Sequence, residues 1–339
     1  MVYAYKNEDR ELMRSSSGGA FLALCRAFAK REEGARACYY CGAVMTEDLH
    51  VAHRIVDSVE KCAALQGSKY VKSELGTCYP TIRTLLRDGN AVLFSGTPCQ
   101  VAGLKRYLAQ YGEPAEHLLT IDVICHGAPV KRVWDDYKRW LEQQAKSALT
   151  SYSFRYKPEG WRAYPARAVF QNGKEYVNTS ETSVYSRLQM RGLSVSSGCF
   201  SCAYAKEQRE GDVTLGDFWG IETIAPDIPH KNGVSLVLTN TERGEQLMAL
   251  LSQNTGRAQL VRQIPGNTYL NYQHNLRAPT EKPADYEAFW QEYARGFDYV
   301  LRKYLRYGSR YQMLFRLKKI IRKTPVIDVY RRLRRRQTG

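Results

Sequence analysis

The 339-residue sequence has no long hydrophobic run. Its stretch Ala20–Ala29 is apolar, but it is broken by Arg26 and is too short to span a bilayer. No apolar leader opens the chain, since Met1–Glu11 is polar and charged. With no route to an oxidising compartment, a cytoplasmic location is expected, and cysteines there should stay reduced. They number nine, an odd count, and reduced cysteine serves metal or redox chemistry more often than crosslinking. The sequence also lacks an internal repeat, a low-complexity linker and any defensible sugar-nucleotide motif. At 44% apolar and 25% charged residues it is neither collagen-like nor disordered. Its length suffices for two domains whose core needs no disulfide staples.

Acidic residues are scarce in one place. Arg302–Gly339 holds fourteen Lys or Arg and a single acid, Asp328, which accounts for +13 of the net +16. The body is therefore nearly neutral and offers no extended basic face, which disfavours nucleic acid as a partner. Within the tail, Arg310–Lys323 has helical spacing. Met313, Leu314, Leu317, Ile320 and Ile321 share one arc of about 120°. Arg316, Lys318, Lys319, Arg322 and Lys323 take the other side, with Phe315 out of place among them. Pro325 breaks the helix, and Arg331–Arg336 adds a second basic cluster. Such a tail suits an acidic redox partner or the anionic inner face of a membrane, or it packs as a solvated helix on the body.

Hydrophobic periodicity predicts an α/β (mixed α+β) protein: a parallel-type core, an antiparallel-containing second region and a helical basic tail. Ala91–Phe94, a continuous apolar run, and Leu118–Ile124, a mostly apolar one, read as buried strands, with a helix through Leu104 and Leu108 between them. Arg36–Met45 and Val51–Val56 read as further strands, and Tyr79–Arg87 and Val133–Gln144 as helices. Ser151–Tyr156 and Ala166–Phe170 alternate like antiparallel strands, with Asn172-Gly173 turning the chain into Lys174–Val177. The expected organisation is an amino-terminal region at 1–115, a second region at 116–300 and the tail at 301–339.

The cysteines divide by context. Cys199 and Cys202 form a C-x-x-C beside Gly198, a turn on which two sulfurs can face one point. Cys38 and Cys41 have the same spacing inside a strand, where residues three apart face opposite sides, so they read as packed core residues. Cys25 and Cys62 also look like core positions, and Cys78 precedes a helix without an evident partner. Cys99 and Cys125 each follow the carboxyl end of a buried strand, the edge at which open parallel sheets bind cofactors. With Cys199 and Cys202 they make four, the number a cubane cluster needs. Spacing alone does not decide between this set and two unrelated buried cysteines.

Several motifs go further. Phe94-Ser95-Gly96-Thr97-Pro98-Cys99-Gln100, Asp122-Val123-Ile124-Cys125-His126-Gly127, Cys199-Phe200-Ser201-Cys202 and Gly216-Asp217-Phe218-Trp219-Gly220 occur in that order. Together with Ser15–Gly19 and Gly67-Ser68-Lys69-Tyr70-Val71, they resemble the beta subunits of coenzyme F(420) hydrogenases and dehydrogenases. The resemblance runs from about Ser15 to about Ser252. It implies an oxidoreductase containing FAD and one [4Fe–4S] cluster, with Cys99, Cys125, Cys199 and Cys202 as the ligands. Their sulfurs should then converge in one cluster-sized space. Many bacterial relatives begin with a two-cluster ferredoxin module, and Met1 stands where that module would end. The electron partner is therefore expected to be a separate ferredoxin-like carrier or redox subunit.

Ser15–Gly19 ahead of a helix has the form of a phosphate cradle, although serines there are also ordinary helix caps. The resemblance favours Ser15, Ser17, Gly18 and Gly19 as FAD contacts bordering a shared cavity with Ser68, Lys69, Thr97 and Gln100. Lys69 could neutralise a phosphate or a reduced flavin, and Thr97 and Gln100 could hydrogen-bond sulfide or the flavin ring. His126, Asp217 and Trp219 are the candidates for proton traffic and for lining a substrate pocket. Two other readings compete: a non-enzymatic structural zinc protein whose basic tail binds nucleic acid or another anionic partner, and a redox or accessory enzyme of surface-polysaccharide assembly. Against zinc, cysteines so widely spaced do not match paired zinc knuckles.

Overall fold

The computed structural model describes residues 1–322 except 33, 114, 163, 254, 255, 257 and 258. The expected features at Lys323, Pro325 and Arg331–Arg336 lie outside the described residues. In order, the first elements are β1 (Val2–Lys6), α1 (Asp9–Arg14), α2 (Ala20–Arg31), β2 (Cys38–Met45), β3 (Val51–Val56), α3 (Cys78–Arg87), β4 (Ala91–Gly96), α4 (Pro98–Gln110) and β5 (Leu118–Val123). Next come α5 (Lys131–Ala145), β6 (Leu149–Ser153), β7 (Arg167–Phe170), β8 (Glu175–Val177) and α6 (Ser183–Met190). The chain continues through β9 (Val213–Asp217), α7 (Ile221–Ile224), β10 (Ser235–Thr239), α8 (Glu242–Gln253) and β11 (Leu260–Gln263). It ends in α9 (Tyr286–Glu292), α10 (Phe297–Leu305) and α11 (Ser309–Arg322). Among the described residues no helix is long and apolar enough to cross a membrane.

These elements form two compact units, each built from separated segments. The first comprises Met1–Lys131, Phe154–Pro165 and Val195–Lys282; the second comprises Arg132–Ser153, Ala166–Ser194 and Pro283–Gly339. Residue 115, where the sequence suggests a boundary, lies between α4 and β5, both in the first unit. A chain that leaves a unit and returns to it has no single linker for composition to mark.

The first unit is an eight-stranded sheet in the order β11-β1-β10-β9-β5-β4-β2-β3. Its centre, β2-β4-β5-β9, is parallel, and the outer strands pair antiparallel. This is the expected α/β core. β4 shows why Ala91–Phe94 are all apolar. Ala91 and Leu93 face one cluster with α2 and α8, whereas Val92 and Phe94 face another with α3 and α4. Alternate residues of a strand point to opposite faces, so a strand covered on both sides has no polar face. The same alternation separates Cys38 from Cys41 across β2, since they join these two different clusters. Cys25 and Cys62 are fully buried neighbours in the first cluster. Cys78 does have a partner: its thiol hydrogen-bonds that of Cys41, which holds Cys78 below the ordinary thiol range.

The second unit carries the expected antiparallel sheet, β6-β7-β8, with Gly173 at φ +79° in the β7–β8 turn. β6 ends at Ser153 rather than Tyr156, because residues 154–165 belong to the first unit. Its core is aromatic. Trp134 of α5 meets Tyr152 and Tyr185 edge-on at ring-centroid distances of 5.0 and 5.3 Å. Phe289 of α9 likewise meets Tyr304 of α10 at 5.2 Å.

Candidate functional site

Strand register in the first unit brings the separate motifs to one edge of its sheet. Gly96 of β4 is opposite Asp122 of β5, and Val123 of β5 is opposite Leu215 of β9. Asp217 of β9 pairs with Ser235 of β10, and Ser235 pairs with Tyr5 of β1. The parallel strands end here, while β10 begins, so the loops bearing Cys99, Cys125, Trp219 and Ser17 leave from the same side. In open α/β sheets this carboxyl edge is where ligands bind.

The cysteine loops are fastened individually. Thr97 and Gln100 form a reciprocal capping box at the start of α4, with Pro98 in the first turn. Thr97 Oγ1 lies 3.1 Å from Cys99 Sγ, and Gln100 Nε2 donates to Ser73 Oγ at 3.0 Å. Both polar side chains are thus already engaged in holding the Cys99 loop. Gly127 adopts φ +91°, and a Cβ there would sit 2.6 Å from Val195 and 3.4 Å from the Cβ of Cys199. Only glycine permits this approach of the Cys125 loop to the C-x-x-C turn. Ser196 N–H donates to the Ala128 carbonyl at 3.0 Å and ties the two together.

Beyond the C-x-x-C, Arg209 and Asp122 form an ion pair 3.3 Å apart, with side chains 1% and 0% exposed. Asp122 also accepts from the N–H groups of Glu210 at 3.2 Å and Gly211 at 3.1 Å. The segment after Cys202 is therefore tied to β5, the strand that leads to Cys125.

Cys99 is exposed, and Cys125, Cys199 and Cys202 are half-buried. Burial pushes the Cys125 thiol up to about 12, and nearby Cys199, Cys99 and Cys202 each add to the rise. The four thiols are thus neighbours, but the expected convergence on one cluster-sized space is not present. Among the described residues no group of three or more His, Cys, Asp or Glu is placed to hold a metal ion. Protonated thiols do not attract one another, and it is a bound cation that draws thiolates together. The donor set still fits a cluster in kind, with four sulfurs on loops.

The serine–glycine loop is held from several directions. Ser15 Oγ donates to the Glu11 carbonyl at 2.8 Å, and Ser17 Oγ to the Val234 carbonyl at 2.9 Å. Ser16 Oγ accepts from Ser68 N–H at 2.7 Å. Gly18 is glycine for packing. A Cβ there would lie 2.1 Å from the Tyr5 carbonyl oxygen and 2.3 Å from the Ser235 nitrogen. Substitution at Gly18 would therefore clash with the sheet rather than merely obstruct a ligand while leaving the fold intact. Gly19, at φ +84°, precedes α2, whose amino end has no side-chain cap.

Lys69 does not extend into open space. Its Nζ donates to the carbonyls of Ala64, Leu65 and Gln66 at 3.3, 3.0 and 2.6 Å, and burial pushes its pKa down to about 8. The segment 67–73 links the loops, since Ser68 meets Ser16, Tyr70 meets Arg155 and Ser73 meets Gln100.

Asp217 lies within a polar–aromatic cluster. Arg155 Nη1 donates to its Oδ2 at 2.9 Å and to the Tyr70 hydroxyl at 3.2 Å. Trp161 Nε1 donates to Asp217 Oδ1 at 3.3 Å, and its ring stacks on Trp219 with centroids 4.9 Å apart. Tyr164 lies beneath the Arg155 guanidinium at 4.3 Å. Behind them, buried Lys157 donates to the carbonyls of Leu12, at 2.6 Å, and Ser17. Burial, with Arg155 adding to it, pushes the Lys157 pKa down to about 7. His126 is an exposed residue whose side chain hydrogen-bonds that of Asn275. Protein packed around it still lowers its pKa, against the opposing pull of Asp217.

Sequence reasoning found Asp217 and Trp219 but missed Arg155, Lys157, Trp161, Tyr164 and Arg209. The available signal was the stretch Arg155–Pro165, where basic and aromatic residues crowd around Pro158 and Gly160 without strand alternation.

A sheet with this edge, carrying four cysteines and a glycine-rich helix entry, is the framework of a redox protein. The family model for the carboxyl-terminal part of the coenzyme F(420) hydrogenase/dehydrogenase beta subunit matches residues 89–259, just over half of the chain. The chain belongs to this family and is an oxidoreductase of the hydrogenase/dehydrogenase beta-subunit type. Among solved structures it is similar to a chain of the F(420)-reducing [NiFe] hydrogenase complex from Methanosarcina barkeri. That likeness has a TM-score of 0.54 over 88% of this chain and 94% of that chain, at 12% identity, and is one of fold. No curated protein matches the chain.

Proposed function

We propose that this protein is a flavin- and [4Fe–4S]-dependent oxidoreductase. It would exchange a hydride with an organic cofactor or substrate and pass single electrons to a ferredoxin-like carrier or a redox subunit. The observation that carries the reading is the meeting, at one edge of the sheet, of the loops bearing the four neighbouring thiols and the Ser15–Gly19 loop. Cys99, Cys125, Cys199 and Cys202 would hold the cluster. FAD would be held at the uncapped amino end of α2, where backbone N–H groups favour an anion, by the loop of Ser15, Ser17, Gly18 and Gly19. Bound there, the flavin would link two-electron to one-electron chemistry, and the cluster would carry single electrons.

The chain's own residues position and insulate. Thr97 and Gln100 orient the Cys99 loop, Ser68 fixes segment 67–73 against the serine loop, and Lys69 ties that segment to the carbonyls of Leu65 and Gln66. Arg155 fixes the Asp217 carboxylate, and half-buried Trp219, stacked on buried Trp161, would offer an aromatic surface to a planar substrate. His126, hydrogen-bonded to Asn275, would be the residue to hold or release a proton at this edge. The deciding experiment is anaerobic analysis of iron, sulfide and flavin per chain in the isolated protein. About four irons, four sulfides and one flavin support the proposal. A colourless protein containing zinc refutes it.

A further inference from the structure

Helix α11 has two opposed faces. Tyr311 and Ser183 share a hydrogen bond between hydroxyls at 3.0 Å, and the Tyr311 ring lies under the Arg187 guanidinium at 4.2 Å. One turn on, the Phe315 ring is 6.0 Å from that of Tyr311. A turn further, Lys319 Nζ donates to the carbonyls of Val177 and Asn178 at 2.9 and 3.1 Å. At 100° per residue these three span roughly 80° of the helix and fasten it to β8 and α6 of the second unit. Phe315, out of place on an amphipathic wheel, thus belongs to the anchoring face.

The other face is apolar and open. Met313, Leu317 and Ile320 are 61%, 50% and 62% exposed, and Leu314 is exposed beside them. They occupy an arc of roughly 120° centred opposite the anchor. Most of the large apolar side chains exposed among the described residues sit on this one helix. Exposed Arg316 and Lys318 flank the arc, Arg310 stands at its start, and no acidic residue occurs in α11.

We propose that α11 docks this protein on an anionic lipid surface, with its apolar arc inserted and its cations on the headgroups. The charge decides the occupant. Fourteen Lys or Arg against one acid from residue 302 onward complement an extended negative plane, and cations continue past the helix to Arg336. A helix of 14 residues is about 21 Å long and lies in that plane rather than across it. The anchor residues keep the apolar arc facing outward without help from a ligand. This inference is independent of the cofactor assignment.

The test is co-sedimentation of the full chain with vesicles of phosphatidylcholine alone and of phosphatidylcholine with phosphatidylglycerol, about two to one, across a salt series. Binding should require phosphatidylglycerol and weaken with salt. Leu317→Glu with Ile320→Glu should reduce it about tenfold or more, at unchanged circular dichroism, because both side chains face water. Arg316→Gln with Lys318→Gln should weaken binding and flatten its salt dependence. Absence of binding by the unaltered protein, or equal binding to both vesicle types, overturns the proposal whatever the variants do. So does a folded glutamate variant that still binds. A dimer in solution that the same variant dissociates assigns the arc to a second copy, and tighter binding to polyglutamate than to vesicles assigns it to an acidic protein.

Discussion

Replacing Arg209 with methionine would remove the cation from a pair that water does not reach. The two side chains are 1% and 0% exposed, so Asp122 would be left without its counter-charge in a low-dielectric site. The guanidinium also donates to the carbonyls of Tyr204 at 2.9 Å, Lys206 at 3.1 Å and Val123 at 3.2 Å, and these acceptors would lose their partner. Removing one member of a buried pair costs about 3–5 kcal/mol. Asp122 keeps two backbone N–H donors, from Glu210 and Gly211, which places R209M near the lower end, at about 3 kcal/mol. Asn at position 122 would be neutral, so combining D122N with R209M should cost less than the sum of the singles, with a coupling of about 1–2 kcal/mol. Urea unfolding of the four proteins in the cycle measures both quantities. R209M should also lower iron content, because the segment it fastens follows Cys202. A loss under about 1 kcal/mol with no coupling would show that the pair does not organise this segment.

Changing Cys99, Cys125, Cys199 or Cys202 to serine should sharply reduce iron per chain, whereas Cys38→Ser and Cys41→Ser should not. Full iron retention in Cys99→Ser combined with Cys125→Ser rejects the ligand set. Gly18→Ala should fold poorly or lose more than about 3 kcal/mol, because its methyl meets the Tyr5 and Ser235 backbone; an unchanged melting temperature contradicts this. Lys157 has a folded pKa of about 7 against 10.5 when unfolded, so the native state releases this proton first. Its contribution to stability is absent below about pH 7 and grows as pH rises toward 10.5. Lys157→Met should therefore narrow the difference in urea midpoint between about pH 6 and pH 9.5, and an unaltered difference refutes the assignment.

The parallel core was legible because β4 and β5 are short, mostly apolar runs buried on both faces, in which only Ser95, Thr120 and Asp122 are polar. Cys99 and Cys125 were legible as edge residues because each follows such a run. The opposite facing of Cys38 and Cys41 followed from strand parity alone. The Arg155–Asp217 cluster was not legible, since its members are distant in sequence and join only when residues 154–165 return to the first unit. The bonds that tie the serine hydroxyls to Glu11, Ser68 and Val234 were not legible either, since folding selects those partners. Helices α9 and α10 escaped notice because aromatic residues crowd both and blur helical periodicity.

The position of β1 has a consequence for biosynthesis. Tyr3 pairs with Val237 on one side and Gln263 on the other, so this strand lies between two partners made far later. At ribosomal rates of about 5–20 residues per second, β1 waits roughly 10–50 s for β10 to emerge. During that interval both its edges are unpaired, a standing invitation to wrong partners. Early folding must then begin with β2, β4 and β5, whose pairings close over short chain distances, and β1 joins when the nascent chain has delivered β10.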